Sequence, residues 1–108
     1  MINQAELDRE ETFWDSIGDQ WMRGLSDDEL KVSDPRTFLS GSSVAFDYLV
    51  EQLGDLKSSV VLDYGCGSGW LSTYLAQRKA TVRGFDISQQ LVKLGMRRAV
   101  VNGVGDRV

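Results

Sequence analysis

The chain has 108 residues, 42% of them apolar, with 12 basic and 16 acidic side chains for a net charge of −4. That length holds one domain at most, the acidic balance argues against binding nucleic acid through its phosphates, and no run approaches the roughly 18 apolar residues of a membrane span. There is no histidine, so a Ser-His-Asp triad, a His-ligated metal and a histidine base are excluded within these residues. The lone Cys66 can form no internal disulfide, makes a poor zinc site without histidine partners, and fits a reducing, cytoplasmic setting. Met1 to Glu6 lacks the basic and apolar blocks of a signal peptide. Charge is unevenly placed, −8 over residues 1–54 and +4 over residues 55–108. The scattered basic residues of the second half (Arg78, Lys79, Arg83, Lys93, Arg97, Arg98) read as solvated helix and loop surface rather than a nucleic-acid patch.

In chain order, residues 5–23 predict a helix with Leu7, Trp14, Ile17, Trp21 and Met22 near one face, stopped by Gly24. Residues 24–40 read as loop, with an acidic cluster and a Ser33-Asp34-Pro35 turn. A second helix is expected from about Ser42 to Leu53, with Gly54 as its stop. Val60 onward is a short apolar strand, a composition that implies cover on both of its faces, followed by a glycine-rich loop and a helix over Trp70 to Arg78. Thr81 to Phe85 is a second strand. Ser88 sits where an N-cap belongs, and Gln89 to Val101 form the next helix. Gly95 inside that helix costs roughly 1 kcal/mol against Ala; close packing on the sheet would explain it, the alternative being a weak spot in the helix. Strands alternating with helices imply a parallel sheet. The expected fold is α/β: a Rossmann-like parallel sheet with flanking helices, preceded by N-terminal helices. Only two strands precede Val108, where a third is due. The expectation is therefore the N-terminal part of a longer domain, with the remainder of that domain or a homo-oligomer partner needed to complete the sheet. Residues 1–40 would form a helical lid or cap, and residues 41–108 the first part of a cofactor-binding domain.

Candidate chemistry is concentrated at the carboxyl ends of the two strands, where ligands of α/β folds bind. Asp63, Tyr64, Gly65, Cys66, Gly67, Ser68 and Gly69 end the first strand; Asp86 and Ile87 end the second. Glycines at alternate positions let the backbone approach a ligand closely. Asp86 suits the two hydroxyls of a ribose, with charge-assisted hydrogen bonds worth about 1.5–3 kcal/mol. The spacing is Gly65-x-Gly67-x-Gly69, and Trp70 stands where a dinucleotide fold wants its third glycine. Asp63, two residues before Gly65, suits a cationic ligand better than a pyrophosphate. Cys66 reads as a small residue in a tight turn, not a nucleophile.

Val61 to Gly69, Gly84 to Ser88, and Arg98 through Val108 together resemble the class I S-adenosylmethionine-dependent methyltransferases, over about residues 44–108. The resemblance implies S-adenosylmethionine as cofactor and a small-molecule methyl acceptor. By it, Gly65, Cys66 and Gly67 wrap the methionine and ribose, Asp63 lies near the methionine amino group, Asp86 holds the ribose hydroxyls and Ile87 lies against the adenine. No catalytic base or metal site is indicated, and the acceptor pocket would lie mostly beyond Val108. Trp21 and Pro35-Arg36 are faintly similar to quinone-biosynthesis O-methyltransferases, where Arg36 would meet the cofactor carboxylate; the alternative is a helix packed on the domain and a solvated arginine. Two rival functions share the βαβ pattern: a non-catalytic cofactor-binding module, and a nicotinamide oxidoreductase, which needs the other glycine spacing.

Overall fold

A computed structural model of the chain describes residues 3–33 and 43–108. The elements run α1 (Gln4–Gly24), a 3-10 turn (Asp28–Leu30), α2 (Ser43–Leu53), β1 (Val60–Tyr64), α3 (Trp70–Gln77), β2 (Thr81–Phe85) and α4 (Gln89–Val101). They follow the sequence expectations to within a residue or two at each end. Among the described residues, the 3-10 turn in the loop after α1 is the one element not foreseen. Pro35 and Arg36 lie outside the described residues.

Local chemistry sets the helix ends. Asn3 caps α1 with a reciprocal box: its side chain accepts from Glu6 N, and the Glu6 carboxylate accepts from Asn3 N. Ser88 caps α4, its Oγ accepting from Leu91 N at 3.1 Å. The strands pair in parallel, from Val60 with Thr81 to Tyr64 with Phe85. Parallel strands need a crossover between them, and α3 supplies it, packing on β2 and α4. At the outer edge of β2, Val82 N donates to Arg107 O at 2.7 Å, so the end of the chain returns beside that strand.

The core sits on one face of the sheet. Val82, Leu75, Ala76, Ala80 and Ala99 are fully buried there, with Phe46 of α2 edge-on to Tyr74 at 4.9 Å and to Trp70 at 5.6 Å. The opposite face differs from the sequence expectation of a strand covered on both sides. Val60, Leu62, Tyr64 and Phe85 alternate onto it and are all exposed, Tyr64 by 92%. Strand alternation explains the split: neighbouring residues point to opposite faces, and every described helix that packs on the sheet lies on the other side.

Helix α1 packs on α4. Gly18, the helix's one buried residue, lies directly against the α4 backbone. A Cβ there would lie 2.9 Å from Leu91 N and from Gln90 Cβ. Trp14 and Trp21 stay partly exposed.

Candidate cofactor site

The loop after β1 is a set of backbone bonds drawn toward the end of β2. Gly65 N and Cys66 N both donate to Phe85 O, at 2.7 and 2.9 Å. Gly67 N donates to Asp86 Oδ2 at 2.8 Å, and Ser88 N to Asp86 Oδ1 at 2.9 Å. Asp86 thus ties the glycine loop to the N-terminus of α4. Each carboxylate oxygen has a second lone pair left for a ligand hydroxyl. Asp86 therefore has a turn and capping role of its own, and that role is compatible with binding a ligand.

Two glycines show why the alternation is needed. Gly67 has φ +53°, and a Cβ there would face open space, on the side a ligand would use. Gly69 has φ +77°, and its Cβ would lie 2.6 Å from Gly95 Cα. Gly95 is therefore explained by close packing, as expected, but against this loop rather than the strands.

A cleft of about 660 Å³ opens at the carboxyl ends of the strands. Tyr64, Gly65, Gly67, Asp86 and Ile87 line it, joined by Phe85, Leu91, and Leu7 and Trp14 of α1. The remaining predicted residues sit behind the loop. Asp63 accepts from Ser72 Oγ at 2.7 Å, which fixes it against the start of α3. The Ser68 carbonyl accepts from Arg98 Nε at 2.9 Å. Cys66 and Gly69 border a separate hollow of about 260 Å³ with Gly84, Gly95, Met96 and Val108. Burial, together with Asp63 and Asp86, pushes the Cys66 thiol up to about 11, so at neutral pH it is a protonated filler and not a nucleophile. Among the described residues no group of acids and cysteine is placed to hold a metal ion.

Three features were missed in the sequence. Leu7 and Trp14 read there as part of a packing stripe; in the fold they face the cleft. Asp15 of α1 accepts from Ser88 Oγ at 2.5 Å and from Gln90 N at 3.2 Å. Those bonds, Ser88 first, hold its carboxyl below the usual carboxylate range. Arg98, 3% exposed, donates Nη1 to Leu30 O as well as Nε to Ser68 O, and so joins the loop to the segment after α1. Burial lowers its affinity for the proton. The one available signal was Gly18, a helix-breaking residue inside an apolar stripe, which marks a close helix crossing.

Residues 61–108 match the methyltransferase domain family. The ubiquinone biosynthesis O-methyltransferase of Actinobacillus pleuropneumoniae is 31% identical over 107 residues, covering 95% of this chain and 39% of that protein. The enzyme of the same name from Coxiella burnetii is 32% identical over 100 residues, covering 91% and 39%. The crystal structure of magnesium protoporphyrin IX methyltransferase from Synechocystis PCC 6803, with bound S-adenosylhomocysteine, superposes with a TM-score of 0.61. It is 32% identical and covers 86% of this chain and 44% of that one. The chain spans about two-fifths of the length of these relatives. Residues 61–108, which hold the glycine loop and the acids that close both strands, thus match the methyltransferase domain family.

Proposed function

We propose that these residues are the cofactor-binding part of an S-adenosylmethionine-dependent methyltransferase acting on a small molecule. The observation that carries the reading is the meeting of Gly67 N with Asp86 at the head of an open cleft. The cleft's volume falls in the usual range of a small-molecule site. Gly65 and Gly67 have no side chain on its wall, and Asp86 keeps free lone pairs for a diol. Tyr64, Gly65, Gly67, Asp86 and Ile87 are assigned to the cofactor from the cleft wall, and Asp63, Cys66, Ser68 and Gly69 to holding the loop from behind. Asp86 takes the ribose hydroxyls, Ile87 the base, and the loop the methionine part, with Asp63 supplying negative charge from below.

The bound cofactor supplies an electrophilic methyl group on a sulfonium. The chain's own share of the chemistry is orientation. The loop amides, fixed to Phe85 O, and the Asp86 carboxylate, fixed to Gly67 and Ser88, are organised before any ligand arrives. Such preorganisation contributes to the about 7–11 kcal/mol that positioning can remove from a barrier. Relatives named for ubiquinone biosynthesis and for magnesium protoporphyrin IX support a small-molecule acceptor.

Residues 1–40 are assigned as the cap and residues 41–108 as the first part of the binding domain. The exposed row Val60, Leu62, Tyr64 and Phe85, with the edge of β1 that is unpaired among the described residues, is the surface that a remainder of the domain or a homo-oligomer partner would cover. No described helix is long and apolar enough to cross a membrane, in keeping with a cytoplasmic enzyme. Calorimetry with S-adenosylhomocysteine tests the reading. Wild type should bind, and Asp86→Ala should bind at least tenfold more weakly. Equal affinities would remove the ribose assignment, and no binding by wild type would remove the function.

A further inference from the structure

Helix α1 is fastened to α4 from its middle onward, and its first half overhangs the cleft. Asp15 holds the start of α4 through Ser88 and Gln90. Gly18 lies against the Gln90–Leu91 backbone. Arg97 donates to Met22 O at 3.2 Å and Leu25 O at 3.0 Å, and pairs with Asp27 at 2.7 Å. Leu7 and Trp14 precede the first of these fastenings and are the two α1 residues on the cleft wall. The indole is set from within the helix: its Nε1 donates to Glu10 Oε2 at 3.1 Å, and Phe13 stands edge-on at 5.0 Å. Leu7 and Trp14 are each 38% exposed, and Ile87 across the cleft 40%. An apolar slot thus stays open between α1 and the end of β2, directly beside the acid suited to a diol. A flat heteroaromatic ring attached to a ribose matches that pairing of surfaces.

Building on the function proposed above, we propose that Trp14 is a specificity-determining residue that covers the base of the bound nucleoside together with Ile87, and that Asp15 is the positioning residue that holds it there. Asp15 touches no ligand in this scheme. It acts by fixing the helix on which Trp14 rides, two residues from Asp86 along the chain at Ser88. The two ends of the nucleoside are then held by one connected unit, Trp14–Asp15–Ser88–Asp86.

Calorimetric titration of the intact protein with S-adenosylhomocysteine and with adenosine tests this. Stacking on an aromatic side chain predicts that Trp14→Ala weakens both ligands about tenfold, while Trp14→Phe restores most of the affinity. Asp15→Ala should weaken both severalfold in the wild-type background and add nothing in the Trp14→Ala background, because it acts through Trp14. A purely structural Asp15 would give additive losses. Unchanged adenosine affinity in Trp14→Ala, or additivity of the two substitutions, overturns the proposal. If Asp86→Ala still loses affinity in that case, the proposed function stands without it. Binding of neither ligand by wild type overturns both.

Discussion

The two walls of the cleft are built in different ways. One comes from residues close in sequence, 64–67 and 85–87, joined by backbone bonds across adjacent strands. The other comes from Leu7 and Trp14, brought from some 50 to 80 residues away by the packing of α1 on α4. The loop wall is determined by local geometry, so few substitutions at its glycines are tolerable. The α1 wall depends on a helix crossing and on polar bonds from the middle of the helix onward, so it is more easily displaced and more easily altered without unfolding the protein. Specificity is more readily changed on the second wall than on the first.

The comparison can be broken most severely at Gly69. Gly69→Ala forces a side chain into left-handed backbone and against Gly95 Cα, both of which are main-chain constraints. A loss of about 3 kcal/mol or more is expected in denaturant unfolding. Gly95→Ala, whose Cβ would stand 3.2 Å from Gly69 Cα, should cost less. A loss larger than that of Gly69→Ala would mean the strain lies in α4 rather than in the loop.

Asp86→Ala comes next. It leaves Gly67 N and Ser88 N without their acceptor, so stability should fall by about 2 kcal/mol without any ligand present. An unchanged unfolding midpoint would show the acid to be reserved for a ligand and the loop to hold itself.

On the α1 wall, Gly18→Ala gains about 1 kcal/mol of helix propensity but sets a Cβ against the backbone of α4, an overpacking cost of about 1–3 kcal/mol. A net loss of about 1 kcal/mol is expected, read as a lower melting temperature. A stabilised variant would show that α1 can lift off α4 freely.

The smallest effect is the pH dependence of the Asp15 bonds. The folded carboxyl titrates below its ordinary value of 3.8, so it contributes stability above that pH and loses it as the pH falls through the lower folded value. The stability difference between wild type and Asp15→Ala should therefore be constant from neutrality to about pH 5 and shrink in more acid solution. A difference that persists unchanged at the lowest pH where the protein stays folded would remove the charged bond.

Much of the loop wall was legible because its determinants are local. Val60 to Tyr64 must be a strand by composition, Gly65 and Gly67 must turn tightly, and Asp86 follows a second strand at a fixed distance. Capping by Ser88 and the α4 span were readable for the same reason. The stripe through Leu7, Trp14 and Trp21 identified α1 as a helix, but a helical stripe does not say which neighbour it meets. Periodicity orients side chains about the helix axis and leaves its position along the partner undetermined. Gly18 settled that position by letting α1 approach α4, and the approach carried Trp14 to the cleft instead of the core. Arg98 read as solvated surface for a similar reason: the carbonyls that satisfy it, of Ser68 and Leu30, belong to segments far apart in sequence.

By itself, then, the sequence determined the order of elements, the parallel pairing, the glycine loop and the acids at both strand ends, because each follows from backbone sterics and side-chain periods of about 2 and 3.6 residues. Only the tertiary structure decided which face of the sheet is covered, what Gly69 and Gly95 are for, and that Leu7, Trp14 and Asp15 belong with Asp86. Those depend on distances between segments, which pairwise packing sets and no local pattern encodes.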